Sequence, residues 1–156
     1  MKLLVFVISA ILLISCNSSK DKVVNEDIPF DSIAHGFFCS IDVKKQVVLQ
    51  KDSEYQKLWD EVYMNLDQMP RIPDVDLNKF TVIAVFMGIK NTGGYDIKIE
   101  KIKSKGDKLL VNVTESSPGT NCMVTDAISK PYEFVKIKKT DKEIEFNINY
   151  ITKDCQ

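Results

Sequence analysis

The sequence predicts an α+β domain in which a mainly antiparallel β-sheet, built of hairpins, carries one amphipathic helix. Three observations predict it. Tyr55, Leu58, Trp59, Val62 and Leu66 recur at helical spacing, with Glu54, Lys57, Asp60 and Glu61 on the other side, the pattern of a helix laid on something flat. Phe80 to Gly88 is nearly continuous apolar and β-branched sequence, as expected of a strand covered on both faces. After it, several runs alternate apolar and polar residues at period two and are separated by turn signals, the mark of half-buried strands.

Along the chain, Phe37, Cys39 and Ile41 share one strand parity, and Gln46-Val47-Val48-Leu49-Gln50 is a short run of strand type. The helix follows, with Ser53 expected as its cap and Gln56 three residues on completing a capping box. Pro70 and Pro73 bound the next loop. After the Phe80–Gly88 strand, Asn91-Thr92-Gly93-Gly94 turns the chain into Tyr95, Ile97 and Ile99, which alternate with Asp96, Lys98 and Glu100. Lys105-Gly106-Asp107-Lys108 turns it again into Leu109, Val111 and Val113. Beyond the Pro118-Gly119 loop and Met123–Ile128 come Val135 and Ile137. The turn Thr140-Asp141-Lys142 then leads into a last strand with Ile144, Phe146, Ile148 and Tyr150 on its core side. Five or six strands are expected in all.

The N-terminus stands apart from this pattern. Lys2 precedes an apolar run from Leu3 to Leu13, broken only by Ser9-Ala10, the layout of a secretory signal and too short to span a bilayer comfortably. Its ending, Leu13-Ile14-Ser15-Cys16, resembles the lipobox of bacterial lipoproteins, in which the cysteine thiol takes a diacylglycerol and becomes the new N-terminus. That resemblance implies a signal peptide over 1–15, a lipid-anchored flexible tether over 16–30 and a folded domain over 31–156. The partner implied first is a membrane, reached through lipidated Cys16, since multiple acyl chains give stable anchoring. Asn17, rather than aspartate, follows the cysteine, which favours the outer membrane of the cell envelope over the inner.

Removing 1–15 takes away Lys2 alone among the charges, so the 21 basic and 22 acidic residues of the whole chain become 20 and 22, net −2. That near-neutral balance argues against a nucleic-acid partner, which would want a basic face. Three cysteines then remain, Cys39, Cys122 and Cys155, an odd number for an oxidising compartment. Three pairings are open. The expected one joins Cys122 to Cys155, tying down a polar tail, and leaves Cys39 as a buried apolar thiol.

Residues that carry chemistry are scarce. His35 is the single histidine, and a lone histidine in Ala34-His35-Gly36 reads as a surface residue. There is no nucleophile elbow, zinc-protease helix or phosphate-cradling glycine loop. Asp74 and Asp76 beside Pro73 read as a solvated turn rather than a calcium site. No catalytic residue, cofactor or metal is expected, and the chain is not read as an enzyme. Gly93-Gly94 and Pro131 have structural explanations in turn geometry and strand edges.

The order of these segments resembles the PrcB family, in particular its C-terminal domain. The resemblance rests on Leu58-Trp59, the strand Val82–Gly88, Asn91-Thr92-Gly93-Gly94-Tyr95-Asp96-Ile97, Ser117-Pro118-Gly119, Val124-Thr125 and Lys130-Pro131-Tyr132-Glu133-Phe134-Val135-Lys136-Ile137. Its motif residues here are Gly93, Gly94, Tyr95, Thr125, Pro131 and Tyr132. Many members have histidine after Pro-Tyr, where this chain has Glu133. The family takes its name from a lipoprotein that helps to assemble or stabilise a surface protease complex. The resemblance therefore implies a non-catalytic envelope lipoprotein that binds a protein partner, a secreted or surface protease among the candidates. The alternative is a module binding a small ligand or glycan through Tyr95, Tyr132 and Tyr150, weakened by the parity that sets Tyr150 with the core.

Overall fold

A computed structural model describes residues 26–66 and 69–155. The expected signal segment and Cys16 lie outside the described residues. The chain runs through β1 (Glu26–Ile28), β2 (Asp31–Gly36), β3 (Lys45–Leu49), α1 (Asp52–Tyr63), β4 (Phe80–Phe86), β5 (Asp96–Lys105), β6 (Lys108–Pro118), β7 (Tyr132–Lys138) and β8 (Glu143–Lys153).

The class is α+β, in three layers. One sheet has the order β2-β7-β4-β3 and the other β1-β5-β6-β8. Strand β4 is the hinge of this arrangement. Its Val82, Ala84 and Phe86 pack under the helix with Trp59, Leu58, Val62 and Phe134. Its Ile83 and Val85 face the second sheet, where they meet Ile97, Ile99, Val111 and Val113. All five of these β4 side chains are fully buried, which is why the strand reads as continuous apolar sequence and not as an alternation.

Several expectations are corrected. Among the described residues the strands number eight, not five or six, and lie in two sheets rather than one. Between consecutive strands a direct hairpin occurs among the described residues only at β5–β6, where Gly106 has φ +64° at the first position of a two-residue loop, as a type II′ turn requires. The turn after β7 does not fold β8 back onto it. Both edges of β7 are already occupied, by β2 and β4, so β8 crosses to the other sheet and pairs with β6 in parallel along eleven residues. Tyr150 leaves the core set and is two-thirds exposed near the end of that strand.

Residues 26–28 fall within the expected tether but form β1, paired with Ile102–Ser104 of β5. Residues 37–44 form no strand, although Cys39 and Ile41 are buried as their parity suggests. Met123–Ile128 is likewise irregular. The helix is capped two residues earlier than expected. Lys51 is the N-cap and makes no side-chain cap bond, so the Ser53–Gln56 box does not form. Asp52 and Glu54 in the first turn supply the negative charge that favours a helix N-terminus. Trp59 Nε1 donates to the Pro70 carbonyl at 3.0 Å and Tyr55 Oη to that of Pro73 at 3.3 Å, so the following loop is fastened along the helix.

Cys122 and Cys155 form a disulfide and Cys39 is a buried free thiol. The bridge holds the end of β8 against the loop after β6, beside the bonds from Gly119 N to Lys153 O at 2.8 Å and from Asn121 Nδ2 to Cys155 O at 2.7 Å. Replacing both cysteines by serine is expected to cost about 2–4 kcal/mol, read as a lower urea midpoint; an unaltered midpoint would show the bridge to be dispensable.

Candidate functional site

Three irregular segments meet at one end of the sheets. Lys90 and Ser129 bond each other's backbones at 2.8 and 2.9 Å, Gly93 N donates to Thr125 O at 3.0 Å, and Met87 N to Pro131 O at 2.9 Å. Residues 87–95 and 123–131 are thereby zipped together. Residues 37–44 join them, since Lys130 N donates to Phe37 O at 2.7 Å and Ile89 N to Asp42 O at 3.0 Å. The same segment is tied to the helix end, where Ser40 N donates to Val62 O at 2.7 Å. The loops are therefore fixed by backbone bonds together with the burial of Cys39, Ile41 and Met87.

Their junction leaves a recess of about 410 Å³. Phe37 and Phe38 form one wall, at 44% and 59% exposure. Gly93 and Gly94 form the base, with Tyr95, Thr125 and Ala127 around it. The glycines are required by close approach: a Cβ on Gly93 would collide with Thr125 Oγ1, and one on Gly94, at φ +85°, would press on Pro118 and Val124 at 3.0 Å. Further apolar side chains, Ile89, Val124 and Ile128, stand exposed on the same segments.

The polar side of the recess is built from Asp96. His35 Nε2 donates to its Oδ1 at 2.7 Å, and Lys153 Nζ lies 3.7 Å from Oδ2. His35 also meets Phe37 edge-on, with ring centroids 5.2 Å apart. So the lone histidine is a surface residue that links β2 to β5 and supports the aromatic wall. Lys90 Nζ sits 5.5 Å from the Tyr95 ring centroid, within cation–π range. Asp76 accepts from Asn78 N and pairs with Lys79, the turn role read for it. Among the described residues no group of three His, Cys, Asp or Glu side chains converges to hold a metal.

Behind the recess, Glu133 stands opposite His35 in the β2–β7 register and points between the sheets. β1 covers only Ile102–Ser104 of β5, and Glu133 Oε2 accepts from Ile99 N on the uncovered half at 2.5 Å. Burial raises the carboxyl above its ordinary range, against the lowering effect of that bond and of His35. Between the unfolded and folded values the native chain holds a proton that the unfolded chain has released, so this group's contribution to stability falls as pH rises. Glu133→Gln should therefore gain melting temperature relative to the parent more at neutral pH than at pH values within the ordinary carboxyl range. A difference that stays constant from that range up to neutral pH would refute the assignment.

Of the six motif residues, Gly93, Gly94, Tyr95 and Thr125 line the recess. Pro131 and Tyr132 do not. Tyr132 turns under the helix, where its hydroxyl meets that of Tyr63 at 2.7 Å and its ring stacks on Phe86. Burial pushes both phenols upward from their ordinary values, and Tyr55 up to about 12. The sequence places Phe37 on a strand parity and Asp96 in a strand, and points to neither of them nor to Phe38 as a site residue. Their signal was an adjacent aromatic pair set between Gly36 and Ser40, which suits a loop better than a strand.

Comparison with known proteins gives one result that bears on this region. Residues 81–138 match the family described as PrcB C-terminal, a stretch that begins on β4 and ends with β7 and encloses the glycine base and Thr125. Neither a curated protein nor a solved structure matches the chain significantly.

Proposed function

Residues 81–138 match the PrcB C-terminal family, and on that premise we propose that this chain is a non-catalytic subunit that binds and stabilises a protein partner, a secreted or surface protease in the family's manner. The observation that carries the reading is the exposed Phe37-Phe38 wall over a preformed recess. Rigid aromatic side chains beside a pocket are what protein partners use as anchors, and soluble proteins seldom leave them exposed together without use. In this reading Cys16 carries lipid and the segment after it tethers the domain to an envelope membrane, the outer membrane favoured, so that the partner is kept close by.

Affinity purification from crosslinked, solubilised envelope tests it. One partner protein, recovered in fixed ratio with the chain, is expected; repeated recovery of the chain alone would end the proposal.

A second reading has a specific observation in its favour. The recess is concave, and Asp96, Thr125 and Lys153 converge on it, which suits a small ligand or glycan. Tyr95 is the one of the three candidate tyrosines that lines it. Shifts of the Gly93 and Gly94 amide resonances on titration with envelope glycans, with no protein partner recovered, would favour this alternative.

A further inference from the structure

The longest open edge among the described strands is β8. It is bonded to β6 along all eleven residues from Glu143 to Lys153, and no described strand lies on its other side. Unpaired N–H and C=O groups on such an edge are a template for another strand. Natural edges are blunted by proline, bulges, short length or inward-pointing charge. Here there is no proline within β8, its register with β6 is unbroken, and the residues facing the core are Ile144, Phe146 and Ile148, which are only half-buried. By contrast β1 has three residues and β2 carries a register shift.

We propose that the occupant of this edge is a second copy of the same chain, its β8 antiparallel to the first and related by a two-fold axis at Ile148. The sequence of β8 is complementary to itself in that register. Glu143 falls opposite Lys153 of the second copy, twice over, and both residues are exposed enough to meet, at 66% and 55%. Phe146 falls opposite Tyr150, and Ile148 opposite itself. Because all these partners share parity, core faces stay on one side and solvent faces on the other, as strand pairing demands. Opposite charges and aromatic neighbours across a strand pair are each favourable. A parallel in-register pairing would instead set Glu143 against Glu143, so the charges select the two-fold arrangement. The product is one continuous eight-stranded sheet, in the order β1-β5-β6-β8 followed by its mirror sequence in the second copy.

The test uses the full chain in detergent micelles. Ile148→Cys should give a covalent dimer on mild oxidation, because position 148 opposes itself. Ile144→Cys, which opposes Thr152, should give at least tenfold less. Lys153→Glu placed in the Ile148→Cys chain should cut the yield several-fold, and adding Glu143→Lys should restore it. Sedimentation equilibrium of the unsubstituted chain should show a dimer, independently of how the variants fold. A monomer at every concentration, equal yields from positions 144 and 148, or crosslinking of β8 to a different protein would each overturn the proposal.

Discussion

Trp59→Ala is expected to destabilise the domain by about 3–5 kcal/mol, a large share of the 5–15 kcal/mol typical of a folded domain. Trp59 is 2% exposed and packs against Tyr63, Phe134 and Tyr55 with ring centroids 4.7, 5.6 and 6.1 Å away. Truncation leaves a cavity between helix and sheet and strips the Pro70 carbonyl of its donor. The effect should also reach the recess. The helix end holds residues 37–44 through Val62 O, so a loosened helix frees the loop that carries Phe37 and Phe38. Trp59→Phe separates the two contributions: it keeps a ring and loses the indole donor, at a cost nearer 1–2 kcal/mol. Urea unfolding measures both. A Trp59→Ala midpoint close to that of the parent would show that the helix is not anchored by this residue.

Phe37→Ser combined with Phe38→Ser should reduce partner binding by about a hundredfold while leaving the melting temperature within a few degrees of the parent. Truncating an anchor aromatic at an interface commonly costs about 2 kcal/mol or more, and each such loss is over tenfold in affinity. The fold has little to lose there, since both side chains are largely exposed and the Phe37 carbonyl keeps its bond from Lys130 whatever the side chain. Co-purification with the wild-type partner, quantified against chain recovered, reads the result. Undiminished capture would place the binding surface elsewhere on the molecule.

The helix and strands β5 and β6 were legible because each buries a face at a fixed period, and β4 because both its faces are buried. Leu109, Val111 and Val113 alternate, and so they pack. Pairing was less legible. Nothing local in Ile144–Ile148 distinguishes a strand that returns to β7 from one that crosses to β6; that choice is made by the occupied edges of β7, a property of the assembled sheet. β1 was missed because three polar-flanked residues carry no period. The recess was half legible. Gly93-Gly94 and Thr125 were visible as unusual residues, but their contact across 32 positions depends on the bridge between Lys90 and Ser129. Phe37 was assigned to the strand parity of Cys39, whose burial is real but arises in a loop held by the Lys130 carbonyl, 3.3 Å from its Sγ.

The placement of β8 has a consequence for how the molecule is made. The first and last strands, β1 and β8, belong to the same sheet, and the strand between β6 and β8 in the chain, β7, belongs to the other. A nascent chain that has reached Lys138 can complete the helix-covered sheet, yet β6 still lacks its eleven-residue neighbour. Pairing of this non-local kind slows folding, because a long loop must close before any contact repays it. The topology thus sets a clock: the two-sheet core cannot be sealed until β8 has left the ribosome.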